Sequence, residues 1–371
     1  MTEVNPATLV PYVTWGAFIL AFVFGFVGNK TNFCTMGAVS DVVNMGDWNR
    51  MRMWLLAIAV AIVGAQLLDL GGVLKLSNSI YPGPNFTWLS YIVGGFLFGV
   101  GMTLGSGCGF KTLIRIGSGN LKSLIVVVFM AIAAYMTLRG LFGVFRVNVL
   151  EAASVQLSGG QDLPSLAARA FGADRRTMVW LLMIVVAGAL AAFALARREF
   201  WTFDYLLGGV VVGLVIVGGW YVTGKLGYVP EDPNTLQQAW VATNTNRMES
   251  LSFVAPQAYL LELLMLWTDA SRILTFGIAS ALGVVAGSAS YALISRTFRW
   301  ESFRDAADTG RHVIGGTLMG FGGIVGLGCT IGQGITGFST LALGSIITFA
   351  SIITGAAVTM KFEYWRMMRE A

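Results

Sequence analysis

The sequence has few of the residues that most enzymes and metal proteins need. Only one histidine, His312, occurs in 371 residues, and the three cysteines form no Cys-x-x-Cys pair. Histidine is the commonest metal ligand and a frequent acid–base group at neutral pH, while zinc sites and disulfide frameworks need clustered or paired cysteines. We therefore expect no metal site, no cofactor and no disulfide framework, and we expect His312 to lie at a membrane interface.

Charged residues are also scarce. They make up 12% of the chain, about half the usual share of about 25% in soluble domains. The net charge is +5, but the basic residues lie mainly in short loops, where the positive-inside rule accounts for them, so they indicate nucleic-acid binding only weakly. No stretch fits the phosphate-binding pattern GxxxxGK[ST], which makes ATP-driven transport by this chain alone improbable.

Long apolar runs are abundant. Hydrophobic residues make up 56% of the chain, and the mean hydropathy is +0.71. A run of about 20 apolar residues matches the thickness of a bilayer core, and the runs here are continuous, which argues against a membrane β-barrel. The sequence predicts an all-α polytopic membrane protein with about nine transmembrane helices, near residues 9–28, 53–74, 89–110, 123–146, 178–197, 203–223, 271–294, 312–330 and 339–361.

An internal repeat organises these spans. Seven residues recur with one spacing of 221 positions and no gap, which indicates a duplication. They are Gly94, Gly95, Gly99, Gly101, Gly105, Gly107 and Cys108, and they match Gly315, Gly316, Gly320, Gly322, Gly326, Gly328 and Cys329. Fainter copies surround Cys34 and Val222. The pattern predicts four units, each with a glycine-rich helix and a kinked segment, and three of them carry a cysteine.

The span count predicts how the repeats are arranged. Residues 1–146 and 203–371 each form one half of the repeat, and residues 147–202 supply a periplasmic loop plus a connecting helix. A single connecting span between two four-span halves gives the second half the opposite orientation, as in many transporters. Basic residues cluster in loops on one side, which the positive-inside rule assigns to the cytoplasm. This places the N-terminus in the periplasm and the C-terminus in the cytoplasm.

The loops 147–177 and 224–257 are longer than the other connections. After the second loop, the apolar stretch at 259–267 is too short to span a bilayer. We expect it to be amphipathic or re-entrant.

The stretch around Cys108 has two possible explanations. Glycines let membrane helices approach closely, and a buried cysteine is often a small apolar filler. However, Gly107 and Gly109 flank Cys108 and Lys111 follows, which favours a broken helix beside a polar cavity. The backbone N–H groups at the start of the second half of such a helix attract anions. Gly328 and Gln333 occupy similar places around Cys329, and the Gln333 amide is a candidate N–H donor.

All three cysteines occupy the same position in the repeat. A neutral thiol is a weak, soft hydrogen-bond donor, whereas a thiolate would repel an anion. Several weak sites in a row permit passage without tight binding. The pattern therefore favours a path for a sulphur-containing anion.

Three motifs identify a resemblance. The segments "NKTNFCTMGAVSD", "GGFLFGVGMTLGSGCG" and "GGTLMGFGGIVGLGCTIGQGITG" resemble the YeeE/YedE sulphur-transport family. The resemblance implies a nine-span, pseudo-symmetric protein of the bacterial inner membrane that takes up thiosulfate. It also implies that Cys34, Cys108 and Cys329 contact thiosulfate through S–H hydrogen bonds to sulphur.

Our leading hypothesis is a non-enzymatic importer of thiosulfate or a related sulphur anion. Its partners would be that anion, the lipid bilayer and a cytoplasmic sulphur-carrier or sulphurtransferase protein, with no nucleic acid. One alternative is a membrane sulphurtransferase that carries sulphur as a cysteine persulfide. Another is a non-transporting membrane subunit that docks a soluble sulphur carrier.

Overall fold

Helices dominate the structure. The computed structural model describes residues 6–233, 235–269, 271–303 and 305–370. Residues 1–5, which include the predicted periplasmic N-terminus, lie outside the described residues. The helices are α1 Pro6–Lys30, α2 Thr35–Ser40, α3 Asn49–Leu70, α4 Trp88–Leu104, α5 Gly109–Gly117, α6 Leu121–Arg139, α7 Leu141–Phe145, α8 Leu163–Phe171, α9 Arg175–Leu195, α10 Phe203–Tyr221, α11 Ala255–Met265, α12 Phe276–Ile294, α13 Ala306–Val325 and α14 Leu343–Glu370.

Two short two-stranded sheets and several tightened or widened helical turns complete the fold. Strand β1 Asn85–Phe86 pairs antiparallel with β2 Val155–Gln156, and β3 Tyr228–Val229 pairs antiparallel with β4 Ala239–Trp240. The π-helical segments are Asp41–Met45, Arg146–Leu150, Val222–Leu226 and Gly332–Gly337, and the 3₁₀ turns are Leu76–Asn78 and Arg198–Phe200. The predicted short segment at 259–267 begins within α11, whose 11 residues are too few to span a membrane.

The prediction of an all-α polytopic membrane protein is confirmed. In the described part of the chain, eight helical segments are long and apolar enough to cross a bilayer. They correspond to eight of the nine predicted spans. The remaining prediction, 312–330, overlaps α13, which falls short in hydropathy because its first turns carry Asp308, Arg311 and His312 and its second half is rich in glycine.

The repeated glycines are helix-packing residues. Helix α4 packs against α14, and its repeat counterpart α13 packs against α6, while α4 and α13 also contact each other. A Cβ on Gly94 would lie 2.4 Å from the backbone nitrogen of Gly326, and a Cβ on Gly315 would lie 2.4 Å from that of Gly105. The same contact therefore occurs twice, at positions 221 residues apart. The packing explanation holds for these glycines, because no side chain fits between the helices.

The other long helices pack in the same way, each against a helix from the other half of the repeat. Helix α1 lies against α12, and α10 lies against α3. A Cβ on Gly25 would lie 2.2 Å from the Val284 carbonyl oxygen, so α1 and α12 are in backbone contact. The connecting helix α9 packs on α3 with one face and exposes Leu181, Ile184 and Val185 on the other. An exposed aliphatic face on a 21-residue apolar helix is suited to lipid.

The repeat unit around Val222 differs from the prediction. Helix α10 runs without a break into the π-helical segment Val222–Leu226, so no helix starts at Val222. The backbone stays hydrogen-bonded there, because the π-helical turns continue the helical ladder. The broken-helix feature therefore occurs at the three cysteine positions and is absent at Val222.

Candidate functional site

Each cysteine stands where a new helix begins after a break in the chain. Cys34 directly precedes α2, Cys108 directly precedes α5, and Cys329 directly precedes a helical segment that begins at Thr330. A residue with left-handed backbone lies two positions before each cysteine, namely Asn32 (φ 51°), Ser106 (φ 57°) and Leu327 (φ 55°). None of these residues is glycine, and such conformations are uncommon for other residues. The same turn geometry therefore positions all three thiols.

Backbone N–H groups bind two of the sulphur atoms. The N–H of Gly37 donates to Sγ of Cys34 at 3.4 Å, and the N–H of Gly332 donates to Sγ of Cys329 at 3.4 Å. A second N–H, from Phe253, donates to Cys329 at 3.3 Å. A neutral thiol has one proton to donate. Because the sulphur acts as acceptor toward the backbone, that proton stays available for a ligand.

The three thiols are buried in one region. Cys108 and Cys329 have no exposed surface, and Cys34 is 6% exposed. Cys108 lies within electrostatic reach of both other cysteines and next to the side chain of Thr330. Within the described residues, no three His, Cys, Asp or Glu side chains are placed to hold a metal ion. When neutral, each of the three thiols is a soft, weak hydrogen-bond donor.

An aromatic cluster, defined as Phe24, Phe33, Phe110 and Phe253, fills the space around the thiols. The Phe24 ring stacks on Phe110 with centroids 3.9 Å apart and lies 6.2 Å from Phe33 and 6.0 Å from Phe253. Phe33 adjoins Cys34 in sequence, and Phe253 is the residue that donates to Cys329. All four side chains are fully buried. The structure is therefore closed to solvent at the level of the cysteines.

A cavity opens on the Cys329 side. This cavity, which we call the Glu249 cavity, has a volume of about 140 Å³. Its walls include Tyr81, Arg146, Glu249, Ser252 and Gly328. Ser252 also lies 3.9 Å, Oγ to Sγ, from Cys329. The cavity thus reaches to within one residue of the Cys329 thiol.

A second opening, the Lys30 cleft, lies on the Cys34 side. Its walls include Lys30, Asn32, Arg50, Asp204 and Tyr205. The Lys30 ammonium lies 3.9 Å from the Asp204 carboxylate. The Arg50 guanidinium forms a bidentate ion pair with the Asp41 carboxylate. The cysteines and the aromatic cluster therefore separate two openings, each of which carries an arginine.

Lys111 lies near two of the thiols. Its Nζ donates a hydrogen bond to Oδ1 of Asn32 at 3.2 Å, at the edge of the Lys30 cleft. The ammonium lies within electrostatic reach of both Cys34 and Cys108. No carboxylate among the described residues pairs with Lys111, so its charge is available to an anion. Arg115, by contrast, donates to the Ser106 carbonyl oxygen at 2.7 Å and stabilises the break before Cys108.

Gln333 forms a hydrogen bond to the end of α13. Its Nε2 donates to the Gly326 carbonyl oxygen at 2.6 Å, so this amide stabilises the end of α13. Its Oε1 is buried and accepts no hydrogen bond from the described residues. One hydrogen of the amide nitrogen is thus used by the protein, and donation of the second to a substrate stays a prediction.

The glycines next to the cysteines are in close contact with their surroundings. A Cβ on Gly109 would lie 2.6 Å from the Phe253 carbonyl oxygen, and a Cβ on Gly328 would lie 3.2 Å from Cγ of Gln333. The space beside Gly107 is less restricted, with Lys111 side-chain atoms 3.4 Å away. Gly109 therefore lets the loop carrying Phe253 pass directly over the start of α5.

Sequence reasoning missed the residues that the long loop supplies. Glu249, Ser252 and Phe253 all lie between β4 and α11, about 80 positions before Cys329. They follow no periodic pattern and belong to no repeat unit. The one available signal was the length of the loop, because long ordered loops in compact domains are often functional.

The burial of the thiols predicts slow chemical modification. We expect a small maleimide to label the folded protein in detergent roughly tenfold or more slowly than the denatured protein, because the thiols must await a local opening. Cys34 should react first, since it alone has measurable exposure. Mass spectrometry of timed, quenched samples gives the order. Equal rates for the folded and denatured protein would contradict a closed site.

Comparisons with known proteins point in one direction. Residues 30–358 match the family described as Sulphur transport. The thiosulfate transporter TsuA of Escherichia coli (strain K12) is 25% identical over 324 residues, which cover 82% of this chain and 81% of that protein. The thiosulfate transporter TsuA of Spirochaeta thermophila is 28% identical over 128 residues, or 34% of this chain and 37% of that protein. Both relatives are named as transporters, and the family match covers most of the sequence, so the chain belongs to the sulphur-transport family.

Proposed function

We propose that this protein carries thiosulfate, or a closely related sulphur anion, across the bacterial inner membrane. The anion enters at the Glu249 cavity, passes Cys329, Cys108 and Cys34, and leaves through the Lys30 cleft. At each stop a neutral thiol donates its S–H to the anion. Lys111 supplies the positive charge near the last two stops.

One observation carries this proposal. Three buried cysteines occupy the same broken-helix position, and they lie together between two separate openings. A small apolar filler has no reason to recur three times beside the same left-handed residue. Two of the sulphurs already accept backbone N–H groups, which leaves their protons free to donate. The names of the two relatives support thiosulfate as the substrate.

The orientation in the membrane follows from the charge pattern. We place the Glu249 cavity in the periplasm and the Lys30 cleft, with the C-terminal end of α14, in the cytoplasm. Residues 1–146 and 203–371 are then the two inverted halves, joined by the segment 147–202. Each helix pair between the halves has an equivalent pair with the roles of the halves exchanged, and this supports a two-fold relation between them.

Uptake by the purified protein tests the proposal. The protein is reconstituted into liposomes, and ³⁵S-labelled thiosulfate is added outside. We expect accumulation above that in empty liposomes, because the protein alone supplies the path. A lack of uptake under every imposed ion gradient would favour the alternative of a subunit that only docks a soluble sulphur carrier.

The soft character of the thiols predicts selectivity. Sulphate has the same charge as thiosulfate but presents only hard oxygen atoms, so it gains less from S–H donors. We expect a tenfold excess of sulphate to lower thiosulfate uptake by less than about twofold. Selenate, with the same shape and charge as sulphate, is the matched control. Strong competition by sulphate would indicate recognition of oxyanions in general.

The sulphurtransferase alternative makes a different prediction. A persulfide on Cys108 would survive removal of free thiosulfate and would add the mass of one sulphur atom to the protein. The transport proposal expects no such stable adduct.

The proposed cytoplasmic sulphur-carrier partner would dock at the Lys30 cleft, and pull-down with and without an Arg50→Glu change tests this point.

A further inference from the structure

Glu249 is a buried carboxyl group in the wall of the cavity beside Cys329. Its backbone is fixed, since its N–H donates to Oγ1 of Thr223 at 3.2 Å and its carbonyl oxygen accepts from the same hydroxyl. The Oε1 atom is shielded from solvent and accepts no hydrogen bond from the described residues. A buried carboxylate oxygen without a partner is unfavourable when the group is ionised.

The titratable groups that share the cavity wall with Glu249 come from three other parts of the chain. Tyr81 precedes α4, Arg146 follows α7, and Tyr259 lies in α11. The Cys329 thiol lies within electrostatic reach of Tyr81. Burial raises the pKa of both the Tyr81 and the Tyr259 hydroxyl, so each stays neutral near physiological pH. Arg146 and Glu249 are therefore the residues in the cavity wall that can carry a charge near physiological pH.

Arg146 does not neutralise Glu249 directly. Its Nε lies 3.3 Å from Oε1 of a different carboxylate, that of Glu151. Burial raises the pKa of Glu249 to about 8, and no compensating group offsets this effect. At about pH 7 the carboxyl group is accordingly mostly protonated. In that form it is neutral and has an O–H to donate.

The charge state of Glu249 decides whether an anion fits beside it. An ionised carboxylate would repel a doubly charged anion across a cavity of about 140 Å³. The protonated form removes this repulsion and adds a hydrogen-bond donor. In turn, a bound anion favours the protonated form, because the two equilibria are linked and the linkage is reciprocal.

We propose that Glu249 is a proton-binding site coupled to anion entry, so that each anion that occupies the Glu249 cavity is accompanied by one proton. This inference rests on the proposed function and identifies the co-transported ion as a proton. The proton comes from the solution on the cavity side. It makes the net charge of the loaded site one unit less negative, which lowers the electrical work of moving the anion toward a negative compartment.

The sign of the pH effect follows. The protonated form, which is the one that binds the anion, is fully populated well below the pKa of Glu249. Its population falls as the pH rises through that pKa. We expect thiosulfate affinity to fall about tenfold between about pH 7 and about pH 9. The Glu249→Gln variant carries a permanently neutral side chain, so its affinity should change less than about twofold over the same range.

Calorimetric titration of thiosulfate into the detergent-solubilised protein measures both affinities. Glu231→Gln is the matched control, since it makes the same chemical change at an exposed position of the same loop. This control should keep the full tenfold fall. If Glu249→Gln shows the same pH dependence as the wild type, the inference is overturned while the proposed function stands.

Proton uptake by the wild-type protein provides a test that needs no variant. In weakly buffered solution at about pH 8.5, thiosulfate binding should take up between about half and one proton per anion, recorded with a pH electrode. Binding without proton uptake would overturn the inference. If the wild type neither binds nor transports thiosulfate at any pH, the proposed function fails, and the inference fails with it.

Discussion

Replacing Cys329 by alanine is expected to lower the rate of thiosulfate uptake about tenfold, and replacing Cys108 should have an effect of similar size. A hydrogen bond to a charged group contributes about 1.5–3 kcal/mol, and a thiol, as a weak donor, belongs at the lower end of that range. The alanine side chain keeps the apolar contacts of the site but removes the S–H. Uptake of ³⁵S-thiosulfate into liposomes provides the measurement.

Two controls separate transport from folding in this experiment. Cys329→Ser keeps a donor at the same place and should recover part of the uptake, with less discrimination against sulphate. Ser295→Ala removes a similar small polar group at an exposed position after α12 and should leave uptake unchanged. Size-exclusion profiles show whether each variant is folded. Undiminished uptake by the alanine variants of all three cysteines would contradict the thiol path.

Adding a single methyl group at Gly94 or Gly315 is expected to destabilise the protein severely. In both cases the new Cβ would lie 2.4 Å from a backbone nitrogen of the facing helix, and backbone atoms cannot move aside as a flexible side chain can. Overpacking typically costs about 1–3 kcal/mol, and a clash with rigid backbone belongs at the upper end of that range. We expect Gly94→Ala and Gly315→Ala to give little monodisperse protein after detergent extraction.

Gly188→Ala is the matched control for this second prediction. Gly188 lies within α9, and a Cβ there would meet no atom within 4 Å. Alanine favours a helix by about 1 kcal/mol over glycine, so this variant should melt at the same temperature as the wild type or higher. Thermal melting followed by fluorescence-detected size exclusion compares the three variants. Normal melting of Gly94→Ala would contradict the close backbone contact.

The repeat explains why so much of the architecture was predictable. A 221-residue spacing between two glycine sets indicated equivalent helices, and their contacts in the structure are equivalent. The position of the breaks was also readable, because glycines flank Cys108 and precede Cys329. The residues that adopt the left-handed turn were not, since Ser106 and Leu327 have no intrinsic preference for it.

The remaining features depend on contacts between distant parts of the chain. Phe253 reaches Cys329 across 76 positions, and no local pattern encodes such a pairing. Val222 aligned with the cysteines by glycine spacing, yet its helix continues, because the neighbouring turns can widen without breaking. Gln333 was proposed as an N–H donor from its place after Cys329, but its hydrogen bond to the Gly326 carbonyl oxygen could not be read from the sequence.

The aromatic cluster has a consequence for the electrical properties of the membrane that contains this protein. Four fully buried rings lie between the two openings in the described part of the chain, and apolar constrictions of this kind block hydrated ions by excluding water. Each elementary charge that leaks across about 100 mV dissipates about 2.3 kcal/mol of stored energy. We therefore expect a membrane that contains many copies of the protein in this conformation to keep its potential.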